Sequence, residues 1–135
     1  DKPLVLVDES YNANTASMAA ALDVFAGIAP PGGRKVLVLG DMLELGAQAD
    51  ALHAGLAEAV LASGADAVYL VGTHVRALAE ALPPGLVAGH FPTAEALVPE
   101  LTGALAYGDA VMIKGSNGVG LARVVNAVRD RFDQA

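Results

Sequence analysis

The sequence has no cysteine, no tryptophan and few aromatic residues, which make up 4% of its 135 residues. Without cysteine the chain forms neither disulfides nor thiolate metal sites, a composition that agrees with a cytoplasmic protein. The three histidines, His53, His74 and His90, fall on different predicted elements and lack the spacing of metal ligands. No metal site is therefore expected in this chain.

Basic residues and long apolar runs are also scarce. The chain carries 8 Lys and Arg against 15 Asp and Glu, a formal net charge of -7. Nucleic acid is not an expected partner, because binding to a phosphate backbone depends on clustered basic side chains. No apolar run approaches the roughly 20 residues of a membrane span, and the N-terminus shows no targeting signal. We expect a soluble protein with no membrane partner.

The apolar residues, 54% of the chain, predict the fold. Short runs rich in Val, Leu and Ile predict buried strands over residues 4–7, 36–39, 67–71, 86–88 and 110–113. Apolar stripes at helical spacing lie between and after them, over residues 18–25, 52–60, 78–82, 97–105 and 121–132. This alternation predicts one α/β domain over residues 1–135, a Rossmann-like three-layer α/β/α fold with a mainly parallel sheet of five or six strands.

Capping residues and prolines predict where the helices begin. Asn14, Thr73 and Thr93 are expected to cap the first, third and fourth helices, because their side-chain oxygens can accept an early helical N–H. Pro99 falls inside the fourth helical pattern, where we expect it either to mark the first turn or to kink the helix.

A polar loop follows the first predicted strand and contains Asp8, Tyr11, Asn12 and Asn14. In an open α/β sheet, ligands bind in the crevice outside the carboxyl ends of the strands. A carboxylate there can accept the ribose hydroxyls of a nucleotide, while the phenol adds an aromatic face and the carboxamides add donors. The structural alternative is a loop-ordering Asp8, a half-buried Tyr11, a turn residue at Asn12 and a simple cap at Asn14.

Two further polar loops follow the second and fifth predicted strands. Asp41 and Glu44 form a carboxylate pair that either holds a substrate ammonium or orders its turn. At the other loop, Lys114 either reaches the crevice or is a solvated strand-end lysine. The glycine-rich residues 115–118 expose backbone N–H groups before a helix, a setting that favours an anion. His53 is expected to be a packing residue at the edge of the second helix.

These segments resemble the C-terminal domain of the Mur ligases, specifically of the members that add D-alanyl-D-alanine. The matching stretches are residues 8–14 with 17–22, residues 38–46 with His53, and residues 113–116, in the same order and over nearly the whole chain. The pattern differs at Thr15, where the family commonly has Pro, and at Asn117, where it commonly has Arg. A bidentate guanidinium is therefore missing at position 117.

The resemblance implies a three-domain ligase of peptidoglycan synthesis, with an N-terminal UDP-binding domain and a central ATPase domain as partners in the same polypeptide. ATP with Mg2+, bound mainly by the central domain, phosphorylates the carboxylate of the UDP-N-acetylmuramoyl tripeptide. The amine of D-alanyl-D-alanine then attacks the acyl phosphate.

The resemblance also implies roles for individual residues of this chain. Asp8, Tyr11, Asn12 and Asn14 would contact the nucleotide. The dipeptide would be received by Lys114, Gly115, Ser116 and Asn117, with Asp41. No catalytic residue is implied in this domain, and the isolated chain is expected to be inactive because it contains no G-x-x-x-x-G-K-[ST] motif.

Two alternatives come from other classes of protein. A receiver domain shares the size and the alternation of elements, but it needs an Asp at the end of the third strand, where this chain has Gly72 and Thr73. A free-standing nucleotide-binding module fits the fold but would carry a glycine fingerprint in the first turn, which is missing.

Overall fold

A five-stranded parallel sheet forms the centre of the computed structural model, which describes residues 2–132. The strands are β1 Val5–Glu9, β2 Lys35–Gly40, β3 Ala67–Val71, β4 Val87–Phe91 and β5 Ala110–Lys114. Their spatial order is β1-β5-β2-β3-β4, and every neighbouring pair is parallel. The predicted strands and the parallel sheet are confirmed, with five strands in the described part of the chain.

Helices cover both faces of this sheet. They are α1 Thr15–Ala26, α2 Ala49–Ala54, α3 Ala57–Ala62, α4 Val75–Ala81, α5 Ala94–Ala104 and α6 Ala122–Phe132. Helices α1, α3 and α4 pack on one face through residues such as Leu22, Val60 and Leu78, whereas α5 and α6 pack on the other through Leu101 and Val125. The three-layer α/β/α prediction is therefore confirmed. None of the helices within residues 2–132 is long and apolar enough to cross a membrane.

The burial of each strand follows from its position in the sheet. All residues of β2, β3 and β5 are buried, and these strands have near-continuous apolar sequences because helices cover both of their faces. The edge strands β1 and β4 are only partly buried.

Two of the three predicted caps are confirmed. Asn14 Oδ1 accepts the Ser17 N–H at 2.8 Å and Ser17 Oγ accepts the Asn14 N–H at 3.0 Å, which completes a capping box. Thr93 Oγ1 accepts the Ala96 N–H at 3.1 Å. The prediction for Thr73 is wrong, because α4 begins after His74 and neither side chain caps it.

Two other helical predictions need correction. The stripe over residues 52–60 is divided between α2 and α3 by Gly55 and Leu56, since glycine is a poor residue for a helix interior. Of the two alternatives for Pro99, a place in the first turn is wrong, because Pro99 lies well inside α5, which continues to Ala104.

A buried lysine fastens the helices at the amino end of the sheet. Lys35 is 8% exposed, and its Nζ donates to the carbonyl oxygens of Phe25 at 2.6 Å and Ser63 at 2.7 Å. Both carbonyls belong to helix ends, where the last turn leaves C=O groups without a helical partner. The ammonium also lies 4.7 Å from the centre of the Phe25 ring. One cation thus satisfies the ends of α1 and α3.

Replacing this lysine is expected to destabilise the fold. Lys35→Met should lower the free energy of unfolding by about 1.5–3 kcal/mol, because two buried carbonyls lose a charged donor. Urea denaturation measures the change, and Lys2→Met, at an exposed lysine, is the matched control. Equal losses in the two variants would contradict this role for Lys35.

Candidate functional site

The predicted polar loops meet at one end of the sheet. In the strand register, Asp8 lies beside Ile113 and Glu9 beside Lys114, while Leu39 lies beside Lys114 on the opposite side of β5. The loops after β1 and β2 lead to helices on one face, whereas the loop after β5 leads to α6 on the other. Because these loops lead to opposite faces of the sheet, a crevice forms between them at the carboxyl ends of the strands.

Lys114 ties the β5 loop to the β1 loop. Its side chain is only 3% exposed, and Nζ donates to the Asn12 carbonyl at 2.8 Å and lies 3.7 Å from Glu9 Oε1. The alternative of a solvated strand-end lysine is therefore wrong. A buried cation with two oxygen partners fixes the distance between the two loops.

Ser116 connects all three loops. Its N–H donates to the Asp41 carbonyl at 3.1 Å, and its Oγ accepts the Leu43 N–H at 2.9 Å. The same hydroxyl donates to the Ala13 carbonyl at 3.4 Å. Gly115, just before it, allows this approach, because a Cβ there would lie 3.0 Å from the Cα of Gly40.

Asp41, in the loop after β2, caps α4. It is 5% exposed, and its two oxygens accept the N–H groups of Thr73 and Val75, both at 2.9 Å. Gly72 makes room for it, since a Cβ there would lie 2.5 Å from the carboxylate carbon. These contacts match the turn-ordering alternative, and the role of Asp41 in dipeptide binding remains a prediction.

Asp8 orders its own loop and also faces a cation. Its Oδ1 accepts the backbone N–H of Ser10 at 3.0 Å and the Ser10 hydroxyl at 2.6 Å. Its Oδ2 lies 3.8 Å from the guanidinium of Arg129 on α6. Arg129 was missed in the sequence, because nothing local in α6 indicates a residue so distant in the chain.

The remaining predicted residues differ in how much of each is exposed. Tyr11 is 71% exposed, so it is not the half-buried packing residue of the alternative. Asn12 and Asn117 are exposed as well. Asn14 has its side-chain oxygen engaged in the α1 cap. Tyr11, Asn12 and Asn117 thus have side chains open to a ligand, whereas the exposed Asn14 offers only its NH2 group.

His53 is hydrogen-bonded to the loop after β2. It is fully buried in α2, where Nδ1 donates to the Ala49 carbonyl at 2.6 Å. Because that partner is an acceptor, the proton is on Nδ1, and Nε2 accepts the Met42 N–H at 2.9 Å. The sequence predicted a packing residue, and the structure gives it a specific bond to the turn after Asp41.

The loops after β1, β2 and β5 form a rim at the carboxyl ends of the strands. A cleft of about 380 Å³ lies on the β3 and β4 side of this rim, lined by Asp41, Glu95, Gly118 and Arg123 among others. A more apolar groove of about 300 Å³ lies beside β1 and α1, with Glu9 and Lys114 among its lining residues. Residues 2–132 contain no group of three or more His, Asp or Glu side chains that would hold a metal ion.

The parallel sheet, its two helical layers and the polar loops at the strand ends define a Rossmann-like α/β domain. Residues 1–117 match the family model of the Mur ligase, glutamate ligase domain. The chain belongs to this family. This membership supports the prediction of a ligase domain and contradicts the alternative of a receiver domain.

Curated relatives at substantial identity carry one enzyme name. The chain is 38% identical to the UDP-N-acetylmuramoyl-tripeptide--D-alanyl-D-alanine ligase of Escherichia coli over 128 residues, which cover 93% of the chain and 27% of the relative. It is 34% identical to the ligase of that name from Rickettsia prowazekii over 121 residues, 90% of the chain and 26% of the relative. The chain thus spans about a quarter of the length of these enzymes.

Solved structures agree with the fold. A structure of MurF from Acinetobacter baumannii superposes with a TM-score of 0.82 at 26% identity, over 96% of this chain and 29% of that one. The MurF ligase from Thermotoga maritima in complex with ADP gives a TM-score of 0.78 over 99% of this chain and 30% of that one. At 23% identity, this second likeness shows the fold alone.

Variants at His53 test its bond to the turn. His53→Gln places an amide oxygen near the position of Nε2 and should keep the Met42 N–H protected from hydrogen exchange. His53→Asn is too short to reach Met42, so exchange at that amide should become about tenfold faster or more. Mass spectrometry or NMR measures the exchange. Equal protection of Met42 in both variants would contradict the bond.

Proposed function

We propose that this chain is the C-terminal domain of an ATP-dependent ligase that adds D-alanyl-D-alanine to the UDP-N-acetylmuramoyl tripeptide in peptidoglycan synthesis. The observation that carries the proposal is the rim at which Lys114 and Ser116 join the loops after β1, β2 and β5. The family match and the names of the relatives support this choice of reaction.

The proposed reaction proceeds through an acyl phosphate. ATP phosphorylates the terminal carboxylate of the tripeptide, and the amine of the dipeptide attacks the acyl carbon. The new amide forms as phosphate leaves, and ADP is the other product. Water must be kept from the acyl phosphate, which is what closure of this domain over the others would achieve.

The β1 loop is the proposed nucleotide side. Tyr11, exposed over most of its surface, offers a planar face, and the exposed carboxamide of Asn12 offers hydrogen bonds. Asp8 would accept a ribose hydroxyl through Oδ2, since Oδ1 already accepts two bonds from Ser10. Asn14 would contribute through its NH2 group while its oxygen caps α1.

The β2 and β5 loops form the proposed dipeptide side. Lys114, Gly115 and Ser116 are buried and set the backbone, so the direct contacts would come from Asn117, the adjoining backbone and the neighbourhood of Asp41. The cleft of about 380 Å³ that Asp41 lines offers room for a small peptide.

The triphosphate machinery is assigned to the partner domains. Residues 2–132 contain no group of three or more His, Asp or Glu side chains that would hold a metal ion by themselves, and the net charge of -7 does not favour a triphosphate. The central ATPase domain of the same polypeptide would bind ATP with Mg2+, and the N-terminal domain would bind the UDP-sugar precursor. The whole enzyme would work in the cytoplasm.

This division of labour predicts that the 135-residue chain alone is inactive. Incubated with ATP, the UDP-tripeptide and D-alanyl-D-alanine, it should release no dipeptide-dependent ADP, because it has no P-loop motif. A coupled ADP assay measures the release. The full-length enzyme that carries this chain is the positive control, and amide formation by the chain alone would overturn the assignment.

The nucleotide side is tested by Asp8→Asn in the full-length enzyme. Asparagine keeps an oxygen for the Ser10 N–H but loses the charge, so the KM for ATP should rise about tenfold while the KM for the dipeptide stays unchanged. Asp23→Asn, at an exposed position of α1, is the matched control. An unaltered KM for ATP would remove Asp8 from the nucleotide site.

A further inference from the structure

The cleft on the β3 and β4 side of the rim contains a charged pair to which the predicted site gave no role. Arg123 Nη1 lies 3.1 Å from Glu95 Oε2, and both residues line the cleft. Arg123 stands in the first turn of α6 and Glu95 in the first turn of α5, so the pair joins two helices across the opening.

The pair is open to solvent and to a ligand. The side chains of Arg123 and Glu95 are 63% and 72% exposed, so their attraction is weak and competes with water. Among the described residues that line the cleft, Arg123 is the one Lys or Arg. A guanidinium has five N–H donors, and a single ion pair through Nη1 leaves others for a second anion.

The surroundings of Arg123 suit a small carboxylate. Gly118 and Gly120 line the cleft beside Arg123. Because glycine has no side chain, a ligand can approach the backbone at these two positions. Gly120 adopts a left-handed backbone with φ of 81°, and its carbonyl accepts the Arg123 N–H at 3.2 Å. The N-terminal end of α5, capped by Thr93, also lines the cleft and adds a favourable potential for an anion.

Lys114, another cation of the rim, is already engaged. Lys114 is buried, bonded to the Asn12 carbonyl and close to Glu9, and it lines the separate groove beside β1. The carboxylate of Asp41 likewise accepts two backbone N–H groups. Arg123 is therefore the cation of the cleft that can exchange solvent for an anionic ligand without breaking the fold.

We propose that Arg123 binds the carboxylate of the incoming D-alanyl-D-alanine, with Glu95 as a positioning residue that holds the guanidinium from its Nη1 side. The proposal rests on the proposed function and names the group that recognises this substrate. Binding by the carboxylate leaves the amine of the dipeptide free to attack the acyl phosphate. Arg123 thus supplies the planar donor that Asn117 does not.

Kinetics of the full-length enzyme that carries this chain test the proposal. Arg123→Gln should raise the KM for D-alanyl-D-alanine about tenfold or more, with the KM values for ATP and the UDP-tripeptide unchanged. Arg123→Lys should recover part of the loss. Arg131→Gln, the same change at an exposed position further along α6, should leave all three KM values unchanged. A normal KM for the dipeptide in Arg123→Gln would overturn the proposal.

A modified substrate separates carboxylate recognition from a general structural effect. The wild-type enzyme should prefer D-alanyl-D-alanine over its C-terminal amide about tenfold or more in kcat/KM, and Arg123→Gln should abolish this preference. Glu95→Gln should reduce it without abolishing it, because the guanidinium loses its orientation and keeps its charge. An undiminished preference in Arg123→Gln would assign the carboxylate to another residue.

Failure of the proposed function gives a different result. If the wild-type enzyme forms no product from D-alanyl-D-alanine, the ligase assignment itself is wrong. If it forms product and discriminates against the amide in every Arg123 variant, the ligase assignment stands and the role of Arg123 is wrong.

Discussion

The bond between the Lys114 ammonium and the Asn12 carbonyl is the interaction on which the candidate site depends. It joins the interior strand β5 to the loop after the edge strand β1, with Nζ 2.8 Å from the carbonyl oxygen and the lysine side chain only 3% exposed. A buried ammonium without oxygen partners would be strongly unfavourable. The Asn12 carbonyl, and with it the loop after β1, therefore stays close to Lys114. Ser116 extends the same connection to the β2 loop. The shape of the rim is thus set by the protein before any ligand binds.

Burial separates two kinds of polar residue at this rim. The buried residues form hydrogen bonds to backbone groups of neighbouring loops. They are Asp41, His53, Lys114 and Ser116. The exposed residues, Tyr11, Asn12, Asn117 and Arg123, remain open to solvent. Supporting groups that are locked by packing and hydrogen bonds keep contact residues near one geometry. The sequence motifs at these loops therefore combine buried supporting residues with exposed residues that are the proposed ligand contacts.

The sequence predicted what depends on local pattern. Apolar periodicity located all five strands and the helical layers, and parallel strands then required the loops with Asp8 and Lys114 to share an edge. It failed where a partner comes from elsewhere in the chain. Thr73 has the chemistry of a cap, but Asp41 on the neighbouring loop occupies that place. Arg129 beside Asp8 and Arg123 beside Glu95 depend on how α6 packs, which no local spacing encodes.

The position of β5 between β1 and β2 also has a consequence for how the chain is made. The ribosome delivers β1 first, yet its sole pairing partner in the described sheet is β5, whose residues follow some hundred positions later. Until then, β2, β3 and β4 can pair in sequence while β1 waits with its hydrogen-bonding groups unmatched. Such distant pairing slows folding and leaves an exposed strand during synthesis. The interior strand β5 is therefore the last of the described strands to be synthesised, and its pairing with β1 and β2 both completes the sheet and assembles the rim.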